Sequence, residues 1–409
     1  MELKTKYQYT YFIYPYVIKE SRYLKYLLRL LKDKNCKLRT FKKDKDLGIY
    51  SYFSHRAKNY MFNSFYLSKS KLEKFEELPE DTKAAILAQN PCTIFEYTIK
   101  KDIQGKTEDR NGIFFKIPKM EIICFNTGIC FLCIKTNIED SDKFSDLLNF
   151  NYKFRDINQE FANMNNYDNI RVQSDCFEDV KYFKEFIENL TGPVTESIKL
   201  DIDPERFLTF SYACIDQESW KNTNEFEKIS NIYIKFLNIL PSDNSVDYSK
   251  NSMKVISKWQ YAKMGVTKQG VTLFASSCDM NNYTVFPHDF EEKYLYSYIL
   301  AMYTKIYLKK INLEFRQNIK INKTRKEFIN FTQSLWINEI TADDTGSMFY
   351  QYLKDVLEID QLYDDTKNKY DILYKEMNIE KTAKNNVIIT LILVITLIIN
   401  AINIIFLAR

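Results

Sequence analysis

The sequence contains only two histidines, His55 and His288, among its 409 residues. Most catalytic triads and metal-hydrolase sites use histidine as a base or as a ligand, so such sites are hard to build here. The sequence also lacks the G-x-x-x-x-G-K-[ST], G-x-G-x-x-G, G-x-S-x-G and H-E-x-x-H motifs. We therefore predict that the protein is not an enzyme, with no catalytic residues and no metal site.

The sequence also has no large excess of positive or negative charge. The chain has 58 Lys and Arg against 54 Asp and Glu, which gives a net charge of +4. Nucleic-acid-binding domains usually concentrate positive charge on one face or stripe. We therefore do not expect nucleic acid as a partner.

The N-terminus, "MELKTKYQYT", is charged and has none of the apolar core of a secretory signal. The eight cysteines are accordingly expected to be reduced thiols in the cytosol. Cys130 and Cys133 form a C-x-x-C pair, but no second pair follows at zinc spacing. The surrounding "EIICFNTGICFLCIK" is better explained as a buried strand.

What the sequence does contain is a long apolar run, Val387 to Ala408, with no charged residue in 22 positions. As a helix it would be about 33 Å long, which matches a hydrocarbon core of about 30 Å. Lys375, Lys381 and Lys384 precede it, and Arg409 follows it. By the positive-inside rule, the sequence predicts a single-pass protein of the cell inner membrane, with its N-terminal body in the cytoplasm.

Three polar residues interrupt this run: Thr396, Asn400 and Asn403. Their spacing of four and three places them on one stripe of a helix. Because an amide in hydrocarbon needs a partner or water, the stripe predicts a homo-oligomer. The stripe could hold the helices together by hydrogen bonds, or it could line a water-filled pore.

Helical periodicity extends upstream of the apolar run. Thr341 and Asp344 resemble a capping box, and the pattern predicts one unbroken helix from about Ala342 into the membrane. A second helical pattern covers about 290–329 and begins after Pro287 and Asp289. Together they predict two long antiparallel stalk helices.

The N-terminal part mixes short apolar strands, such as "CTIFEYTI", with helical patterns, such as "SRYLKYLLRLLKD". We therefore expect an α+β fold of the α/β type in this body. The predicted domains are a cytosolic body (1–289), a helical stalk (290–386) and a transmembrane helix (387–408).

Two stretches of the body have the residue types of a ligand site. Asn126 and Thr127 lie in "CFNTGICF", which is also the pattern of a tight hairpin turn. The second stretch, "KWQYAKMGVTKQGVTLF", combines aromatic, cationic and hydroxyl side chains that suit a nucleotide, although they equally suit a half-buried strand pair. Its candidate ligand residues are Trp259, Tyr261, Lys263 and Thr267.

Several phrases resemble bacterial CorA-like membrane proteins, namely "IICFNTGICFLCI", "GVTKQGVTLF", "FEEKYLYSYILAMYTKIYLKKIN" and "FTQSLWINEITADDTGSMFYQYLKDVLEIDQLYDDTKNKYDILYKEM". The resemblance covers about 113–135 and then 259 to the end. The chain departs from the family pattern because it has one span rather than two and no Gly-Met-Asn after it. The Mg²⁺ selectivity associated with that loop is therefore not carried over.

The chain is similar to divergent members associated with type III CRISPR systems. That resemblance implies a membrane effector in antiviral defence, triggered by a nucleotide second messenger that joins S-adenosylmethionine to AMP (SAM-AMP). It also implies a divalent cation as a possible permeant ion. We accordingly expect a ligand-gated homo-oligomeric channel whose partners are the lipid bilayer, further copies of itself and a small nucleotide. The alternatives are an enzyme tethered by its tail and a membrane scaffold that conducts nothing.

Overall fold

The structure is a computed structural model and describes residues 2–99, 103–107, 112–155, 170–173, 181–191, 207–244, 253–317 and 321–407. The strands in these ranges are β1 (Thr5–Val17), β2 (Cys36–Leu38), β3 (Cys92–Tyr97), β4 (Ile103–Thr107), β5 (Phe114–Phe125), β6 (Ile129–Ile138), β7 (Ile170–Gln173), β8 (Lys181–Tyr182), β9 (Leu208–Ile215), β10 (Lys254–Trp259), β11 (Ala262–Thr267) and β12 (Gly270–Ser276).

The α-helices are α1 (Glu20–Lys32), α2 (Leu47–Tyr52), α3 (His55–Met61), α4 (Lys69–Glu76), α5 (Glu80–Leu87), α6 (Phe144–Phe154), α7 (Phe183–Thr191), α8 (Phe226–Leu237), α9 (Asn281–Thr284), α10 (Phe286–Asp289), α11 (Tyr296–Gln317), α12 (Ile321–Ser334), α13 (Asp344–Val356) and α14 (Ile359–Leu407). A π-helical segment, Phe290–Leu295, lies between α10 and α11. The fold therefore mixes α and β elements and ends in long helices, as predicted.

The strands form one sheet in the order β10-β11-β12-β9-β1-β6-β5-β4-β7-β8, and β3 pairs with both β5 and β2. All neighbours are antiparallel except β12 and β9. The central strand β1, "TKYQYTYFIYPYV", is buried on both faces over most of its length. A strand covered on both faces is expected to be apolar almost throughout, and β1 follows that rule from Tyr9 to Ile13 apart from Thr10, whereas its less buried start contains Lys6 and Gln8.

Aromatic side chains dominate both faces of the sheet. On one face, Phe12 packs against Phe154 of α6, with ring centroids 4.3 Å apart. On the other face, Phe210 stacks on Phe290 of the π-helical segment at 4.2 Å. These contacts form two aromatic core layers, one on each side of β1 and β9.

The chain divides into two compact units: residues 1–307 with 333–359, and residues 308–332 with 360–409. We call the first the body and the second the helical unit. This division cuts across the predicted boundaries at 289 and 386. The reason is that the first part of α11 and all of α13 pack with the sheet-containing body.

The prediction of one unbroken helix from Ala342 into the apolar run was wrong. Helix α13 ends at Val356, and α14 begins at Ile359. Glu358 between them has φ +57°, a left-handed conformation that cannot continue a right-handed helix. Before this break, α13 packs on β10 and β11, where Lys258 Nζ donates to Thr345 Oγ1 at 2.7 Å.

Candidate functional site

Helix α14 is 49 residues long and continues through the start of the apolar run without interruption. Its most apolar window has a mean hydropathy of 2.0, and none of that window is buried inside the structure. The large apolar side chains from Val387 to Ile402 are between 46% and 68% exposed. A surface of this extent needs to be covered, and the helix is long and apolar enough to cross a membrane.

The three predicted stripe residues all lie on α14, but they differ in how their polar groups are satisfied. The Thr396 hydroxyl donates to the carbonyl of Ile392 at 2.8 Å, within its own helix. The Asn400 side chain is exposed and has no hydrogen-bond partner among the described residues. The side chain of Asn403 lies outside the described part of the chain, although its backbone is helical. Asn400 is therefore the stripe position at which the structure leaves an amide to be satisfied.

A buried polar contact joins α11 to α14 inside the helical unit. The Asn312 amide nitrogen donates to Thr366 Oγ1 at 3.3 Å, and Lys369 Nζ donates to Asn312 Oδ1. Thr366 is fully buried, and its hydroxyl donates in turn to the carbonyl of Leu362. Burial and the nearby positive charge of Arg316 lower the pKa of Lys369. These bonds fix the pairing of the two helices before the apolar run begins.

The body contains a buried charge cluster between the sheet and the π-helical segment. Lys119 of β5 lies directly opposite Lys135 of β6 in the strand register. Glu291 bridges the two ammonium groups, with Oε1 at 2.9 Å from Lys119 Nζ and Oε2 at 2.5 Å from Lys135 Nζ. Tyr11 donates a further hydrogen bond to Glu291 Oε1 at 2.5 Å. Two like charges facing each other across strands would repel, and this carboxylate compensates them.

A second carboxylate, Glu121, completes the cluster and is fully buried. It lies 3.5 Å from Lys119 and accepts a 3.1 Å hydrogen bond from Tyr296. Burial alone would raise the pKa of Glu291, but Lys119 and Lys135 outweigh burial and lower it to about 2. Burial opposes the charge of Lys119, yet Glu121 and Glu291 keep its pKa above the ordinary value. Glu291 and Lys119 thus stay charged at neutral pH, which favours a stabilising role over proton transfer.

Asn126 and Thr127 form the turn between β5 and β6, as the hairpin interpretation predicted. Gly128 closes the turn with φ +84° and donates its N–H to the Phe125 carbonyl at 2.9 Å. Asn126 is exposed, and Thr127 Oγ1 donates to the hydroxyl of Tyr303 at 3.3 Å. The turn is therefore anchored to α11 through Thr127.

The second predicted ligand stretch is the hairpin of β10 and β11. Trp259 packs against Phe286 of α10 at 4.8 Å, whereas Lys263 lies over the ring of Phe226 at 4.8 Å. Tyr261 donates to a backbone carbonyl at 3.2 Å, and Thr267 is buried and donates to the last residue of α8 at 3.2 Å. Burial lowers the pKa of Lys263.

The predicted ligand residues are therefore not brought together. The contacts of Trp259 lie on the α10 side of the sheet, and those of Lys263 lie on the α8 side. The turn that contains Asn126 and Thr127 leads into β6, whereas Lys263 lies on β11. These two strands are four steps apart in the sheet, which is roughly 19 Å at the usual strand spacing. The candidate residues thus form at least two separate local environments.

An apolar cavity of about 170 Å³ lies in the body among β2, β3, α4 and the segment after α3. Leu38, Phe62, Leu72 and Ile94 are among its lining residues. Small-molecule sites usually occupy about 300–1,000 Å³, so this cavity is small for a nucleotide.

Sequence reasoning missed the charge cluster, although a signal was present. Lys119, Glu121 and Lys135 lie in strands whose residues are mostly apolar and mostly buried. Charged residues at such positions need partners. The partner, Glu291, lies more than 150 residues away along the chain, so spacing alone could not identify it.

Comparison with known proteins gives no further assignment, because no family model, curated protein or solved structure matches the chain.

Proposed function

We propose that the protein is a homo-oligomeric membrane channel or membrane-disrupting effector. In this proposal, the C-terminal helices of several copies associate along the stripe of Thr396, Asn400 and Asn403. The observation that carries the proposal is the exposed amide of Asn400, which has no partner in the described residues and lies on an otherwise apolar, uncovered helix.

The energetics favour association over a lone helix in lipid. An unsatisfied amide in hydrocarbon costs several kcal/mol, whereas an interhelical hydrogen bond contributes about 0.6–2 kcal/mol. Among the described residues, α14 is the one helix that is long and apolar enough to span a membrane, so identical copies are the simplest source of partners. If the amides also face water along the axis, the same stripe lines a conducting path.

The proposed orientation places the body in the cytoplasm of the cell inner membrane. Lys375, Lys381 and Lys384 lie on α14 before the apolar run, and all three are exposed. Positive residues next to a span are retained on the cytoplasmic side.

The CorA-like resemblance suggests gating by a ligand of the body, and SAM-AMP is the nucleotide that it implies. The candidate residues occupy separate environments, so in this proposal a single ligand contacts one of them. The environments are Trp259 on the α10 side of the sheet, Lys263 and Thr267 on the α8 side with Tyr261 on the same hairpin, and the turn of Asn126 and Thr127. A ligand that moves a closed–open equilibrium from 1:99 to 99:1 must bind the open state about 5.5 kcal/mol more tightly. In this proposal the protein permeabilises the membrane during type III CRISPR defence, and a divalent cation is a possible permeant ion.

The test is ion flux from liposomes that contain the full chain, with and without SAM-AMP. We expect flux from the wild type and a loss of at least tenfold in a variant carrying Asn400→Leu and Asn403→Leu. Thr390→Val is the matched control, because the Thr390 hydroxyl donates to a carbonyl of its own helix.

Two results would overturn the proposal. The absence of flux from the wild type under every ligand condition would favour a scaffold or a tethered enzyme. Equal flux from the wild type and the double variant would show that these amides do not line the path.

A further inference from the structure

The helical unit contains an open cleft of about 550 Å³ between α12 and α14, next to the start of the apolar run. Three cations line it: Arg325 from α12, and Lys381 and Lys384 from α14. Asn322 and Asn378 add amide groups, and Glu380 is the one carboxylate among the described lining residues. The cleft is therefore positive overall and rich in hydrogen-bond donors.

Arg325 is held in place by aromatic rings rather than by an acid. Its guanidinium carbon lies 5.1 Å from the ring centroid of Tyr374 and 6.0 Å from that of Tyr370. Nη1 faces the sulfur of Met377 at 3.9 Å. Nε is buried and has no hydrogen-bond partner among the described residues. Stacking on rings leaves the positive charge of the guanidinium without an acidic partner among the described residues, and a guanidinium N–H group donates strongly to phosphate oxygens.

The two lysines are also uncompensated. Within the described ranges, neither Lys381 nor Lys384 forms an ion pair, even though Glu380 is four residues from Lys384. Three cations that converge on one cleft repel one another unless an anion neutralises them. The geometry points to a phosphate-binding site, and we propose that this cleft binds a phosphate group with two or more negative charges.

The position of the cleft along α14 defines the two possible sources of that phosphate. Lys384 and Lys381 precede Val387 by three and six residues, which is about 4.5 Å and 9 Å along the helix axis. The headgroup layer extends roughly 5–8 Å beyond the hydrocarbon on each side, so Lys384 lies within it and the backbone of Lys381 lies just beyond its outer edge. Met377, which faces Arg325, is about 15 Å from Val387. An anionic phospholipid headgroup would reach the lysines, and a soluble phosphate compound would reach Arg325.

The proposed site does not depend on ion conduction. Binding of a lipid headgroup requires that α14 crosses a bilayer, and binding of a soluble phosphate compound does not require a membrane. The test therefore measures binding rather than flux. The full chain is reconstituted in nanodiscs of pure phosphatidylcholine or of phosphatidylcholine with phosphatidylglycerol, and retained anionic lipid is quantified by native mass spectrometry. Inorganic pyrophosphate is titrated separately into the phosphatidylcholine sample by calorimetry.

The variants are Arg325→Gln and a double variant, Lys381→Gln with Lys384→Gln. Lys375→Gln is the matched control, because Lys375 is exposed on the same helix but does not line the cleft. Removing two of the three cations should weaken binding about thirtyfold, whereas the control should change it less than threefold. The double variant keeps Arg325 and its ring contacts, so it remains informative if Arg325→Gln fails to fold.

Each outcome decides the question. Retention of phosphatidylglycerol without pyrophosphate binding identifies a lipid headgroup as the source. Pyrophosphate binding that the double variant loses identifies a soluble phosphate compound. If neither probe binds, or if the double variant and the control bind equally well, the cleft is not a phosphate site.

Discussion

Replacing Glu291 with glutamine should destabilise the body strongly, because it removes the carboxylate between two opposed lysines. Lys119 and Lys135 are neighbours in the strand register, and each lies within 3 Å of one Glu291 oxygen. Glutamine keeps the size of the side chain and one acceptor oxygen but removes the negative charge. The two ammonium groups would then face each other with their side chains only 22% and 16% exposed.

The pKa of Glu291 sets the magnitude of the loss. A decrease from the ordinary value of 4.5 to about 2 corresponds to roughly 3 kcal/mol of stabilisation at neutral pH. This agrees with the about 3–5 kcal/mol that is lost when one partner of a buried ion pair is removed. The folded-state pKa lies below the unfolded one, so the contribution is fully present above about pH 4.5 and is lost as the pH falls towards 2.

The assay is thermal and urea unfolding of the full chain in detergent, followed by near-ultraviolet circular dichroism at several pH values. Glu291→Gln should lower the stability at pH 7, and its difference from the wild type should shrink between pH 5 and pH 3. Glu139→Gln is the control, since Glu139 pairs with Lys116 at 2.7 Å but is 46% exposed. Removing that pair should cost less than about 1 kcal/mol.

Two results would refute this reasoning. One is a change at pH 7 no larger than that of the Glu139→Gln control. The other is a difference between the wild type and Glu291→Gln that does not vary with pH.

Substitutions at three further positions have definite expected outcomes. Gly128→Ala should destabilise the body by about 1–3 kcal/mol in thermal unfolding, because φ is +84° and the new Cβ would meet the carbonyl oxygen of Ile18. Equal melting temperatures for the wild type and the variant would contradict this prediction. Asp343→Ala should cost about 1 kcal/mol in the same assay, because its carboxylate caps α13, and Asp343→Asn should recover most of that loss. Thr396→Val should leave oligomer formation in nanodiscs unchanged, because the Thr396 hydroxyl donates to a carbonyl of its own helix. Dissociation of the oligomer would instead show that this hydroxyl forms a hydrogen bond between helices.

The apolar helix and several strands, such as β3 and the β5–β6 pair, could be predicted from local pattern alone. Val387 to Ala408 is long enough and apolar enough that no tertiary contact is needed to infer a helix. The β5–β6 turn was likewise predictable, since Asn-Thr-Gly between two apolar runs is a local signal. For such elements, the residues within a window of about twenty positions are sufficient to predict the secondary structure.

Features that depend on distant contacts could not be predicted in this way. The break at Glu358 falls in a segment with helical periodicity and no Gly or Pro, so the local sequence does not predict the end of a helix there. The ligand-site hypothesis grouped Trp259 with Lys263 by proximity in sequence, but their partners lie on opposite sides of the sheet. Which side chains converge depends on strand order, and strand order is not a local property.

The central claim is that copies of α14 associate through the amide of Asn400. The most direct measurement is the number of subunits per particle in native-like nanodiscs, counted by single-molecule photobleaching for the wild type and for Asn400→Leu. The account predicts a defined oligomer for the wild type and a shift towards monomers for Asn400→Leu. A wild-type protein that is monomeric at every protein-to-lipid ratio, or an Asn400→Leu variant with an unchanged subunit count, would contradict it.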